Sequence, residues 1–237
     1  MQCFPAGSHD LILVSDEIHC DLVLPSSEVS HTAIASFTGS RAAERAISLH
    51  APSKTYNSEF HADAFPNAQF HSPARHPALN CSRNAATAAA GVAASFAIIR
   101  DQEIRRDFRR RCRGVLPEIS ALGLEACRAV YTDADGGAEE WRRGLLAQLD
   151  ANCDMVEDAV VGWRGVEMVR PEATYLAWLD CTALGLSDPA GHMRAAGVGL
   201  SDGQAFGAPR GWLRLNFGAP AVVVAEGLRR LGSAMPR

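Results

Sequence analysis

LILVSDEIH, residues 11–19, is a short apolar run that stops on two acids. A continuous apolar run bounded by turn residues suits a strand buried on both faces, as in a parallel sheet. AISLHAP, residues 46–52, repeats the pattern and is stopped by Pro52. SFAIIR, residues 95–100, reads as a third strand. Between and after them lie helical patterns. RAAER (41–45) reads as a helix end, 102–113 as a helix, and 117–132 as another with Pro117 in its first turn. A longer helix is expected over 138–163, where Leu145, Leu149, Met155 and Val156 keep roughly helical spacing. The expectation is an α/β domain with a mainly parallel sheet over residues 1–137.

Residues 138–237 read as a smaller α+β domain. VEMVRPEATYLAWLD (166–180) predicts one or two strands, and a short helix over 187–196 ends at Gly197. GWLRLNFG (211–218) sets Trp212, Arg214 and Asn216 against Leu213, Leu215 and Phe217, which is the period of a strand. An amphipathic helix over 220–232 closes the chain. Residues 58–88 fit neither domain: three prolines and no helical or strand period predict a disordered insertion. Their His61, His71, His76 and Cys81 match no standard zinc spacing, so no metal is expected.

Composition excludes several classes. Apolar residues make up 47% of 237, as in folded soluble proteins. A formal net charge of −4 argues against nucleic acid as a main partner. No apolar run approaches the ~20 residues of a membrane span. MQCFPAGSHD lacks the basic start and apolar stretch of a secretory signal. Seven cysteines without a CxxC pattern read as the reduced thiols of a cytoplasmic protein, most of them small core residues.

Of the 23 lysines and arginines, Lys54 is the one lysine. An amine can lose its proton and attack a carbonyl, whereas a guanidinium cannot. An arginine-biased chain with one surviving surface lysine explains Lys54 equally well when it is taken alone. Its surroundings decide between the two. Asp16 and Glu17 end one expected strand, Lys54 follows the end of the next, and ligands of open α/β sheets gather at such carboxyl ends. Arg214 lies on a later strand. Pyridoxal phosphate (PLP) needs an amine and an acid of this kind, and an arginine suits an amino-acid carboxylate. Each residue also has a plainer reading: Asp16 as a helix cap, His19 as a packed histidine, Arg214 as a surface cation on an edge strand.

SDEIHCDLVLP, APSKTYN, RPEATYLAWLDC, VGLSDGQAFG and LRLNFG occur in this order, and together they resemble the cystathionine β-lyase-like, cysteine-S-conjugate β-lyases of the class I/II aminotransferase superfamily, PLP fold type I. The resemblance covers about residues 9–57 and 89–235. It implies Lys54 as the Schiff-base lysine, Asp16 at the pyridine nitrogen, His19 near the cofactor's 3′ oxygen and Ser53 at the phosphate. It implies Arg214 at the substrate carboxylate, supported by Asn216. The implied reaction is β-elimination of a small sulfur amino acid to thiol, pyruvate and ammonia, in a homodimer when full-length. A lysine desolvated among cations can then act as the base. Full-length members of the family carry a long stretch before the SDEIH strand, so the resemblance also implies an N-terminally truncated chain with an insertion after Lys54. An aminotransferase would use the same residues, and a non-catalytic fragment is the reading of another class.

Overall fold

A computed structural model describes residues 11–56, 94–116 and 119–235. The expected insertion at 58–88, with His61, His71, His76 and Cys81, and the position of Pro117 lie outside the described residues. The chain divides into two units. One comprises Met1–Asp21 and Ser30–Arg142; the other comprises Leu22–Val29 and Arg143–Arg237.

The first unit holds a three-stranded sheet in the order β1-β2-β3. Strand β1 is Leu13–Asp16, β2 is Ala46–His50, and β3 is Phe96–Ile99. The helix before β2, α1, is Arg41–Glu44, and a four-residue helix after it, α2, is Pro52–Thr55. β1 and β2 run parallel, with Leu13 opposite Ala46 and Asp16 opposite Leu49. β3 pairs antiparallel with β2, so the sheet is mixed among its described strands. Helix α3 (Gln102–Cys112) starts where the Asp101 carboxylate accepts from the Glu103 and Ile104 amides. Helix α4 (Ala121–Thr132) is capped by Ser120, which accepts from the Gly123 amide. Asp133 then takes a left-handed conformation and its carboxylate accepts from the Ala138 and Glu139 amides, opening helix α5 (Gly137–Val161).

One expectation is corrected here. β1 is not buried on both faces: Leu13 and Val14 are exposed, Val14 at 58%. β1 is an edge strand whose pairing among the described residues is with β2 alone, so apolar composition did not report its covering.

The second unit is built around a four-stranded antiparallel sheet, order β4-β5-β7-β6. Its strands are β4 Glu167–Met168, β5 Leu176–Asp180, β6 Ser201–Asp202 and β7 Trp212–Asn216. The expected alternation holds, with Leu213, Leu215 and Phe217 buried at 6% or less. Helix α6 (Pro189–Ala195), capped by Asp188, and helix α7 (Ala221–Ala234) supply Met193, Leu228 and Leu231 to the core. From α5 come Leu146, Leu149, Cys153, Val156 and Val160, spaced by three and four. Leu22 and Leu24, far away in sequence, complete this core. Five cysteines are described and all are free thiols; Cys153 and Cys181 are core residues.

Candidate active site

In the first unit, the parallel pairing sets the carboxyl ends of β1 and β2 side by side. Asp16 ends β1 and His19 lies in the turn after it, closed by the Cys20 amide donating to the Glu17 carbonyl at 3.0 Å. Ser53 and Lys54 lie in α2, which leaves the same end of β2 one residue later. Pro52 opens α2, where its missing N–H costs nothing. Ser53 is buried and Lys54 half-buried. Four of the expected residues thus gather at one end of one strand pair. Asp16 is exposed, and its carboxylate accepts a long 3.4 Å bond from the Ile18 amide. Thr55 donates to the Asp21 carboxylate at 3.2 Å, tying α2 to the turn after β1.

Arg214 and Asn216 lie on β7 of the second unit. Arg214 is opposite Trp178 of β5 on one side and Ser201 of β6 on the other, so it is interior to the sheet and not on an edge. Its guanidinium lies over the Phe206 ring, 3.9 Å from the centroid. Phe206 packs edge-on to Trp178 at 6.0 Å. The turn that carries Phe206 starts at Gly203, where a Cβ would come within 2.6 Å of the Trp212 carbonyl oxygen. Asn216 accepts from the Gly218 amide at 2.8 Å and so shapes the end of β7.

A buried polar layer beneath the first group escaped the sequence reading. Glu17 is 4% exposed. Its carboxylate accepts from the Ile34 amide (2.8 Å), Ser15 Oγ (2.9 Å) and His31 Nε2 (3.3 Å), and lies 3.8 Å from His50 Nε2. Burial pushes its pKa up, but the bonds from Ile34, His31 and Ser15 outweigh this and leave it below the usual value. His50 Nε2 is 2.7 Å from Ser48 Oγ, its Nδ1 3.8 Å from Cys20 Sγ, and its ring stacks on Phe96 at 5.1 Å. Burial, with Asp21 nearby, pushes the Cys20 thiol up to about 11. Strand alternation was the available signal: Ser15 and Glu17 share one face of β1, Ser48 and His50 one face of β2.

The donor set fits pyridoxal phosphate by its chemistry: an amine for a carbonyl carbon, a carboxylate for a ring nitrogen, a hydroxyl for a phosphate. Among the described residues no group of three His, Cys, Asp or Glu could hold a metal ion, and no helix is long and apolar enough to cross a membrane.

Comparison with known proteins bears on the fold and the relatives of the chain. No family model matches the chain. Among solved structures, OvoB superposes with a TM-score of 0.76 at 34% identity, over 97% of this chain and 51% of that one. Cystalysin from Treponema denticola, which contains pyridoxal 5′-phosphate, gives 0.74 at 28% identity, over 97% of this chain and 50% of its own. The fold is therefore that of the aminotransferase-like proteins of PLP fold type I. Cystathionine β-lyase PatB of Bacillus subtilis is 30% identical over 233 residues, 96% of this chain and 50% of PatB. Cystathionine β-lyase of Corynebacterium glutamicum is 29% identical over 97% of this chain and 52% of its own length. The chain is thus similar to cystathionine β-lyases and spans about half the length of those it matches.

Proposed function

We propose that the chain is the cofactor-anchoring portion of a PLP-dependent carbon–sulfur β-lyase. The observation that carries this is the place of the only lysine: it lies in α2, which leaves the carboxyl end of β2, beside the strand end that carries Asp16. PLP, when bound, supplies an electron-accepting ring that stabilises negative charge at the substrate's α-carbon. Lys54 Nζ would be the amine that holds the cofactor and the base that takes the α-proton. With the cofactor bound, Asp16 would oppose a positive ring nitrogen, His19 would serve the 3′ oxygen and Ser53 the phosphate. Arg214 offers the edge of its guanidinium to the substrate carboxylate. The Phe206 ring covers one face of that guanidinium and leaves its N–H edge available. Asn216 supports the strand end beside it.

The net reaction takes a cysteine S-conjugate and one water to a thiol, pyruvate and ammonium. The C–S bond breaks with its electron pair on sulfur, and the thiolate takes up a proton. The substrate class is a small sulfur amino acid, the assembly a homodimer, and the location the cytoplasm.

The test is the visible spectrum of the purified chain with PLP, before and after borohydride. Capture on Lys54, confirmed by intact mass and lost in Lys54→Ala, supports the reading. Free cofactor only, with no mass added, overturns it for this polypeptide. Where capture occurs, pyruvate release from a cysteine conjugate without a keto-acid acceptor separates a lyase from an aminotransferase.

A further inference from the structure

We propose that Glu17 and His50 form a positioning clamp that fixes where Lys54 stands relative to Asp16. The inference rests on the cofactor reading above and concerns residues that reading does not use. The register of β1 and β2 continues one step past Asp16 and Leu49: the Glu17 amide donates to the Leu49 carbonyl at 2.9 Å. Glu17 and His50 are therefore neighbours across the strand pair, one residue after Asp16 and four before Lys54. Both are buried, and strand alternation turns Glu17 to the face opposite Asp16.

The two side chains connect every segment that carries a candidate cofactor residue in this unit. Glu17 holds the 30s segment through the Ile34 amide and His31, and it faces His50. His50 reaches Cys20, in the turn that carries His19, while its backbone runs on into Ser53 and Lys54. The ring is held flat against Phe96 at an interplanar angle of 15°. A buried carboxylate is costly unless several donors face it, and the same volume could be filled by apolar side chains at no such cost. A fully connected buried network holds its members in one arrangement. Placed at the carboxyl ends of two strands, that rigidity acts on the spacing between a base and an acid that must face one ring. Displacements of an ångström at such a site cost rate and affinity steeply.

The test uses the full chain and PLP itself. The readouts are the PLP concentration for half-maximal borohydride capture on Lys54, by intact mass, and the visible circular dichroism of the bound cofactor. Far-UV circular dichroism reports the fold. The clamp predicts that Glu17→Gln and His50→Phe raise the half-capture concentration about tenfold or more and alter the visible dichroism, with the far-UV signal kept. His50→Gln, which keeps a polar group beside Ser48 and Glu17, recovers part of the loss. Ser48→Ala removes the 2.7 Å partner of His50 without uncovering a charge, and decides the matter if the other variants do not fold; a ~3-fold weaker capture is expected. Unchanged half-capture and dichroism in the folded variants overturn the clamp alone. A wild-type chain that captures no PLP overturns the cofactor reading and the clamp with it.

Discussion

Asn152 lies fully buried in α5 and donates through Nδ2 to the carbonyls of Phe217 (2.9 Å) and Ala219 (2.8 Å), while its Oδ1 accepts from Gln148. It anchors the chain just beyond the strand that carries Arg214. Asn152→Leu leaves both carbonyls without that donor, and its expected cost is about 1–3 kcal/mol, seen as a lower urea midpoint at unchanged slope. Nothing in the sequence marked this residue, because a polar side chain in a helical seam looks like one on the surface. The seam itself was half legible: Leu149 and Val156 are in it, whereas Leu145 and Met155 pack beside it. Lys54 was legible for a different reason, its singularity. The pair Asp16 and Glu17 was legible as a pair only. Alternation puts the two acids on opposite faces, and which face the chain covers depends on residues far away, among them His31, Ile34 and His50.

At the scale of elements, Arg170 shows how a loop after β4 is tied down. Its guanidinium meets Asp150 (2.8 Å), Asp154 (2.7 Å) and Glu157 (2.8 Å), which lie on one face of α5, and it reaches Ser26 Oγ at 3.1 Å. Ser26 donates to Asp150 from both its amide and its hydroxyl. Burial alone pushes the Asp150 carboxyl up, but the bonds from Ser26 and Arg170 hold it below its ordinary value. A depressed carboxyl contributes stability above the unfolded value of ~3.9, and that contribution is lost as pH falls through the folded value. The expected outcome is a urea midpoint that drops below about pH 4, with a shallower drop in Asp150→Asn. Asp188 gives a simpler case. It caps α6 by accepting from the Gly191 amide at 2.8 Å, and Asp188→Ala costs about 1 kcal/mol in the same assay. Most strands and helices were found by their periods to within a few residues, whereas the two-residue β6 and the four-residue α2 were not expected. The antiparallel direction of β3 and the edge position of β1 were not, because a period reports faces and says nothing of a neighbour's direction.

For the molecule as a whole, the two units differ in what they bury. The second has a contiguous core of leucines, valines, Met193 and Phe217. Among the described residues of the first, the buried apolar set is mainly small, Ala43, Ala46, Ala51 and Ala94 with Ile47 and Ile99. Leu11, Ile12, Leu13, Val14, Phe96 and Ile98 are exposed there. Apolar edges of this kind pair with other chains. The folded chain is expected to bind the dye ANS and to associate as its concentration rises, and Val14→Lys to reduce both, as read by light scattering. A dye-dark monomer would show that surface to be covered. Lys54 has one more use, which follows from its being alone. A protease specific for lysine has one bond to cut, after residue 54, giving pieces 1–54 and 55–237. An amine occupied by a covalently held cofactor and fixed by reduction is no longer a substrate for that protease, so the ratio of intact chain to two bands on a gel reads the occupancy of the site.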